Sequence, residues 1–268
     1  NLCLAGGFAL NAVTNARILD ETPFSGLFVQ PAATDSGIPL GCALWGYHTL
    51  LGQDRCFEMR SAALGAEYGP DEIEAALNSC EGIQADRVDS IEHKAARQIA
   101  AGKIIGWFQG RSEFGPRALG HRSILADPRS PASVERLNQG IKHREPFRPY
   151  APMVLEQSAQ LYFENARPSP FMVLVSEVRK DKHEQLPAIT HIDGTARLQT
   201  VAPNEESRLF DLLTEYESLT GFPVLLNTSF NRAGEPIVET PADALNMFLD
   251  TDLDCLAIED FWVEKIKN

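Results

Sequence analysis

Short apolar runs closed by glycine or proline alternate along this chain with amphipathic stretches, a rhythm that predicts an α/β fold. Leu2 to Ala5 reads as a buried strand, Gly6-Gly7 as a turn and Phe8 to Leu19 as a helix. Leu27 to Gln30 is a second strand, closed by Pro31. Gly37 to Leu51 is apolar on nearly every face, so it is expected as a buried helix with His48 packed inside it. This order suggests parallel packing. Gly52 to Tyr68 lacks a clean period and is expected to connect two domains.

Beyond it the pattern predicts a helix over Pro70 to Asn78, with Pro70 in its first turn and the acids Asp71, Glu72 and Glu74 suiting the dipole. Further helices are expected over Ser90 to Ala101, over Pro131 to Gln139 with Ser130 as N-cap, over Glu205 to Leu219, and over Pro241 to Leu249. Strands are expected over Lys103 to Phe108, Phe171 to Val178, Pro223 to Leu226, Asp254 to Ile258 and Phe261 to Ile266. This second part therefore reads as an α/β sheet with antiparallel pairs. There is no internal repeat and no low-complexity segment.

At 268 residues and 44% hydrophobic, the chain can bury one large core or two modest ones. A net charge of −13 argues against nucleic-acid and membrane-surface partners, which need an extended basic face. Five scattered cysteines without a CxxC suit a cytoplasmic protein with reduced thiols. No apolar run approaches the roughly 18 residues of a spanning helix, and no signal peptide is evident. The opening Asn1-Leu2-Cys3-Leu4-Ala5-Gly6-Gly7 enters a strand at once, so the chain is expected to be a fragment of a longer polypeptide.

Against that acidity stands a cationic island. Lys103 to Arg148 holds nine Lys/Arg against four acids, a surplus of five, so the rest of the chain carries −18. Its densest part, Gly110 to Arg129, sets arginines among glycines and prolines, and Arg117 follows the rigid Gly115-Pro116 pair. Arginine forks on such loops suit a phosphate or nucleotide, and a salt-bridged surface loop is the plainer alternative. In Lys142 to Tyr150, Lys142 and Arg148 are expected to point together while Arg144 pairs with Glu145. His191 to Val201 reads as a turn into a strand with Arg197, Gln199 and Val201 on one face; an inward Arg197 would need an anion, whereas an edge-strand arginine would not.

Leu226 to Asn231 ends an apolar strand in Asn227, Thr228, Ser229 and Asn231, which could hold phosphate oxygens without adding charge or could simply form an Asx-rich turn. Gly6, Gly7 and Asn11 lie between a strand and a helix, where a backbone can approach a phosphate, although an ordinary βα turn is the favoured reading of a glycine pair alone. Asp35 follows a strand and could hold a metal or cap the next helix. No Ser/His/Asp order, HExxH, Walker loop or zinc spacing appears. The inventory suits binding and aligning anions.

The strings GGFALN (6–11), PAATDSG (31–37), GRSEFGPRALGHRSILADPR (110–129), KHREPFRP (142–149), HIDGTARLQTV (191–201) and NTSFN…GEPIV (227–238) together resemble the NodU/CmcH-type O-carbamoyltransferases, the tobramycin carbamoyltransferase group. The resemblance implies the end of an actin/sugar-kinase-like carbamoyl-transfer domain over residues 1–60, then a YrdC-like α/β domain with a mixed twisted sheet over residues 61–268. It implies that carbamoyl phosphate and ATP are converted to carbamoyl adenylate, from which a hydroxyl-bearing small-molecule acceptor takes the carbamoyl group. Arg117, Lys142, Arg148, Arg197 and Ser229 would contact the phosphates, with Mg²⁺ bound to ATP. Gly6, Gly7 and Asn11 would belong to a nucleotide contact, and Asn227 and Asn231 would neighbour Ser229. Asp35 matches one ligand of the family's iron (Fe²⁺) site; the two histidine ligands of an HxxxH-type motif would lie upstream, since no histidine precedes Asp35. A homodimer is compatible with the resemblance. Competing readings are a YrdC-like nucleotide or RNA-binding module without turnover, and threonylcarbamoyl-adenylate synthesis for tRNA modification.

Overall fold

Successive side chains of a strand face opposite ways, so a short apolar run can serve two cores at once. A computed structural model describes residues 1–145, 147–203 and 207–266. The first part runs β1 (Leu2–Leu4), α1 (Ala12–Glu21), β2 (Leu27–Val29) and α2 (Ile38–Trp45). The second runs α3 (Pro70–Asn78), β3 (Ile83–Arg87), α4 (Ile91–Ala100), β4 (Ile105–Phe108), β5 (Arg122–Ala126), α5 (Pro131–Leu137) and β6 (Ala151–Leu155). It continues through β7 (Phe163–Glu164), β8 (Leu174–Val178), β9 (Thr195–Val201), α6 (Ser207–Thr220), β10 (Val224–Ser229), α7 (Pro241–Leu249), β11 (Cys255–Ile258) and β12 (Phe261–Lys265).

Ten strands form one mixed sheet in the order β3-β12-β11-β4-β5-β10-β6-β9-β8-β7, with β4/β11 and β6/β9 parallel and the other pairs antiparallel. Ile105, Trp107, Leu125, Met153 and Leu225 face one layer, where α4 and α6 meet through Ala95, Ala96, Leu212 and Leu213. Phe108, Ile124, Val154, Leu226 and Leu256 face the other, under Ile73 of α3 and Phe248 of α7. The central strands are therefore apolar on both faces. β1 and β2 pair in parallel as a separate two-stranded sheet. α1 lies against β8, and Asn15 Nδ2 there donates to the carbonyls of Ala9 at 2.7 Å and Val173 at 3.0 Å.

Most predicted elements appear within a residue or two; the differences are instructive. The first helix starts at Ala12, after a 3₁₀ turn over Gly7–Leu10, because Asn11 caps it by accepting Thr14 N–H at 3.1 Å. α2 and the π-helical turn Gly46–Leu50 that continues it form where expected but are not buried: Ile38, Trp45, Leu50 and the following Leu51 lie exposed. Uniform apolarity signals burial only where a second layer exists, and the described residues supply none over this helix. His48 is likewise half-buried, with Nδ1 on the Gln53 carbonyl at 3.0 Å, and is not a core residue. The strand predicted from Phe171 begins only at Leu174, because Met172 turns the chain at φ 55°. The predicted helix start at Glu205 lies outside the described residues. No described helix is long and apolar enough to cross a membrane.

Four strands, β3, β5, β6 and the two-residue β7, had no clear signal. β3 is short and half exposed, and the apolar part of β5 is only Ile124 to Ala126. β6 contains Pro152, which argues against a central strand. Pairing with β9 begins at Met153, so the missing Pro152 N–H interrupts no ladder on that side.

Candidate functional site

The arginine-rich segment Gly110 to Arg129 sorts its cations sharply. Arg122 is fully buried on β5, stacks 3.5 Å over the Phe108 ring, and donates to the carbonyls of Gln109, His121 and Gly110 at 3.0 to 3.1 Å. Arg129 forks onto Asp127, and Arg111 pairs with Glu67 at 3.4 Å. These three hold structure. Glu113 does the same for the loop, its Oε1 accepting N–H bonds from Leu119, His121 and Arg122 at 2.6, 2.8 and 3.3 Å. At Gly115, φ is +137° and an added Cβ would lie 2.8 Å from the Pro31 carbonyl oxygen, so only glycine fits this turn. The turn delivers Arg117, half-buried and without an ion-pair partner among the described residues.

Arg117 faces a cavity of about 270 Å³ whose walls also carry Arg144, Arg148 and Arg197, and whose floor is Asn227 to Ser229 at the end of β10. Among the described residues four guanidiniums line it and no carboxylate does. Arg197 comes from β9, which lies between β6 and β8, so it is an interior and not an edge-strand arginine. Burial, together with the Arg117 and Arg144 charges, pushes its pKa down to about 10. Burial also lowers Arg117 and Arg144. For Arg117 burial is the cause, whereas Arg197 also feels two neighbouring cations.

Arg144 does not pair with Glu145 as the sequence suggested. It stacks 4.0 Å over the Tyr150 ring and reaches Asn138 Oδ1 at 3.4 Å, while Glu145 lies 4.0 Å from Arg148. Asn138 also accepts from Tyr150 Oη at 2.7 Å, so one amide in the π-helical turn Asn138–Lys142 sets both side chains. The segment Lys142 to Tyr150 spans Pro146, which lies outside the described residues. Lys142 stands behind the floor: Nζ donates to Ser229 Oγ at 3.2 Å and to Asn231 O and Oδ1 at 2.9 and 2.8 Å. Burial, then the Arg144 and Arg148 charges, holds its pKa down to about 7, although these oxygens favour the charged ammonium.

Arg117, Arg148, Arg197, Asn227 and Ser229 thus meet in one cavity, with Lys142 and Asn231 bonded to its floor. Arg144 and Tyr150 were missed as walls; Lys142 and Arg144 two residues apart in a non-helical stretch was the available signal. Gly6, Gly7, Asn11 and Asp35 are not brought there. An adjoining cavity of about 200 Å³ shares Tyr150 and Arg197 with the first and reaches Leu10, Ala12 and Val13. Gly6 adopts φ +94°, and Asn11 is committed to its helix cap. Asp35 is exposed in a 3₁₀ turn, and among the described residues no group of three His, Cys, Asp or Glu could hold a metal. Asp35 alone does not make an iron site.

Residues 96–265, more than half of the chain, match the family model "Carbamoyltransferase C-terminus", and residues 1–44 match "Carbamoyltransferase N-terminus". The nodulation protein NolO of Bradyrhizobium diazoefficiens is 46% identical over 98% of this chain and 49% of its own length. The nodulation protein NolNO of Sinorhizobium fredii is 46% identical over 98% of this chain and 40% of its own. The chain therefore spans about half the length of the curated relatives it matches. Among solved structures, T. kodakarensis HypF aligns with TM-score 0.44 and 17% identity over 70% of this chain and 23% of its own. On the extent of the family match and the identity to NolO and NolNO, the chain belongs to the NodU-type carbamoyltransferase family.

Proposed function

We propose that this chain carries the carbamoyl-adenylate-forming site of an O-carbamoyltransferase. The observation that carries the reading is the cavity of Arg117, Arg144, Arg148 and Arg197, with no carboxylate on its walls among the described residues. In water, carbamoyl phosphate and MgATP repel each other, and a fixed cluster of guanidiniums offsets that repulsion before reaction. Carbamoyl phosphate would first lose phosphate to water, leaving carbamate. A carbamate oxygen would then form a bond to the α-phosphorus of ATP while the bond to pyrophosphate breaks. Arg117 and Arg197, without ion-pair partners among the described residues, would hold the phosphate of carbamoyl phosphate and the charge that develops at the α-phosphorus. Ser229, backed by Lys142, would donate from the floor. Mg²⁺ would enter with ATP as part of the substrate. No step is assigned to iron. Transfer of the carbamoyl group to a hydroxyl-bearing acceptor would belong to the complete protein.

The test is pyrophosphate release from MgATP, with and without carbamoyl phosphate. Release that requires carbamoyl phosphate and falls at least a hundredfold in Arg148→Ala is expected. Release that instead requires threonine and bicarbonate would assign the site to threonylcarbamoyl-adenylate synthesis. ATP binding without release under any of these conditions would reduce the chain to a binding module.

A further inference from the structure

The walls of the arginine cavity are donors, yet its floor residue Asn227 carries an acceptor for which the described residues offer no donor. Asn227 lines the cavity and is 1% exposed. Its Nδ2 donates to the Ala118 carbonyl at 3.2 Å and to Gln199 Oε1 at 2.8 Å. Gln199 Nε2 in turn donates to the Leu119 carbonyl at 2.7 Å. These bonds fix both amide orientations, because turning either amide over would set its oxygen against a main-chain carbonyl oxygen. Among the described residues Asn227 Oδ1 is left without a partner, and so is Nε of Arg197, a residue that lines the same cavity.

A buried polar atom without a partner is costly, so two of them on one cavity describe the ligand that would satisfy them. The missing ligand groups are an anionic oxygen for Arg197 and an N–H for Asn227. Resting on the carbamoyl phosphate reading above, we propose that Asn227 Oδ1 accepts a hydrogen bond from the amide N–H of carbamoyl phosphate and thereby distinguishes it from other acyl phosphates. Gln199 is a positioning residue that keeps the Asn227 oxygen turned toward the ligand. The Ala118 and Leu119 carbonyls that anchor the relay follow Arg117 directly, so the anion contact and the amide contact share one loop.

Acetyl phosphate is the discriminating probe, since it carries a methyl group of similar size where carbamoyl phosphate carries NH₂. Affinities of inorganic phosphate, acetyl phosphate and carbamoyl phosphate for the whole chain are measured by calorimetric titration. Wild type is expected to prefer carbamoyl over acetyl phosphate by about tenfold to a hundredfold, the effect of leaving one buried acceptor unanswered. Asn227→Leu is expected to bring that ratio to about one, and Gln199→Leu to narrow it. Equal wild-type affinity for the two acyl phosphates, alongside phosphate binding that Arg197→Ala removes, overturns the role of Asn227 and leaves the anion reading standing. A preference that survives Asn227→Leu in a chain with wild-type thermal unfolding overturns it as well. No binding of any of the three probes to wild type overturns both readings together. The wild-type ratio needs no variant to fold.

Discussion

Arg208 and Arg197 are the same residue in opposite settings. Arg208, on α6, has Asp260 at 2.7 Å, Glu92 at 3.4 Å, Glu259 at 4.0 Å and Gln109 Oε1 at 3.1 Å. Burial works against its charge, but the surrounding carboxylates leave its pKa raised. Arg197 has no carboxylate partner among the described residues, two neighbouring guanidiniums and a pKa pushed down to about 10. The first arrangement ties α6 to α4 and to the β11–β12 turn. The second stores positive potential that the fold itself does not neutralise. A charge cluster therefore announces its role by the partners it lacks, and counting arginines along the sequence could not supply that.

The comparison breaks most visibly at Arg197. Arg197→Ala is expected to lower affinity for carbamoyl phosphate by a hundredfold or more, about 3 kcal/mol, measured by titration calorimetry. The same substitution should raise the unfolding temperature without ligand, because it removes a half-buried, unpaired charge from a repulsive cluster. If ligand affinity and stability both fell, Arg197 would be a staple like Arg208.

Arg208→Ala should give the mirror result. Stability is expected to fall by about 2 kcal/mol in urea unfolding, since Glu92 and Glu259 would lose this cation and Asp260 would keep only Arg87 at 3.7 Å. Phosphate affinity at the arginine cavity should stay within about twofold. A large loss of affinity would mean that the two clusters are coupled.

Lys142 sharpens the contrast through pH. Its folded pKa, about 7, lies below its unfolded value, so the unfolded chain binds more protons across that window. Stability without ligand should therefore rise with pH from 7 upward, by about 1 kcal/mol between pH 7 and 8. The slope should vanish in Lys142→Met. Saturating phosphate should flatten it as well, because an anion beside Arg144 and Arg148 offsets the charges that depress the Lys142 pKa. A wild-type slope that Lys142→Met leaves intact would assign the titration elsewhere.

These settings explain what could be read from the sequence. Helices with a capping or proline start, such as Pro70–Asn78 and Pro241–Leu249, were legible because their signals are local. Arg117, Arg148, Arg197 and Ser229 were legible as candidates, from short motifs that resemble those of the family. Whether they met was not legible: they come from the loop before β5, the segment before β6, β9 and β10, which only the sheet order brings together. Arg122 was misleading in the opposite sense. It sits in the same dense motif, but its carbonyl partners are contributed by the turn around it. The exposed apolar α2 and the Asn227 acceptor were illegible for one shared reason, since each depends on a partner that the local sequence does not specify.

Asn11 offers the smallest and most local test of the same lesson. Resemblance makes it a nucleotide contact, whereas the fold makes it the N-cap of α1 through Thr14 N–H at 3.1 Å. A cap of this kind contributes about 1 kcal/mol, and replacing it exposes one amide of the first turn. Asn11→Ala should lower stability by about that amount and Asn11→Asp should restore it, since a carboxylate caps as well and suits the helix dipole. ATP affinity provides the second readout. A pure cap predicts that Asn11→Asp binds ATP like wild type. A nucleotide contact predicts that the added negative charge weakens ATP binding several-fold even where stability is restored, because a carboxylate repels the triphosphate.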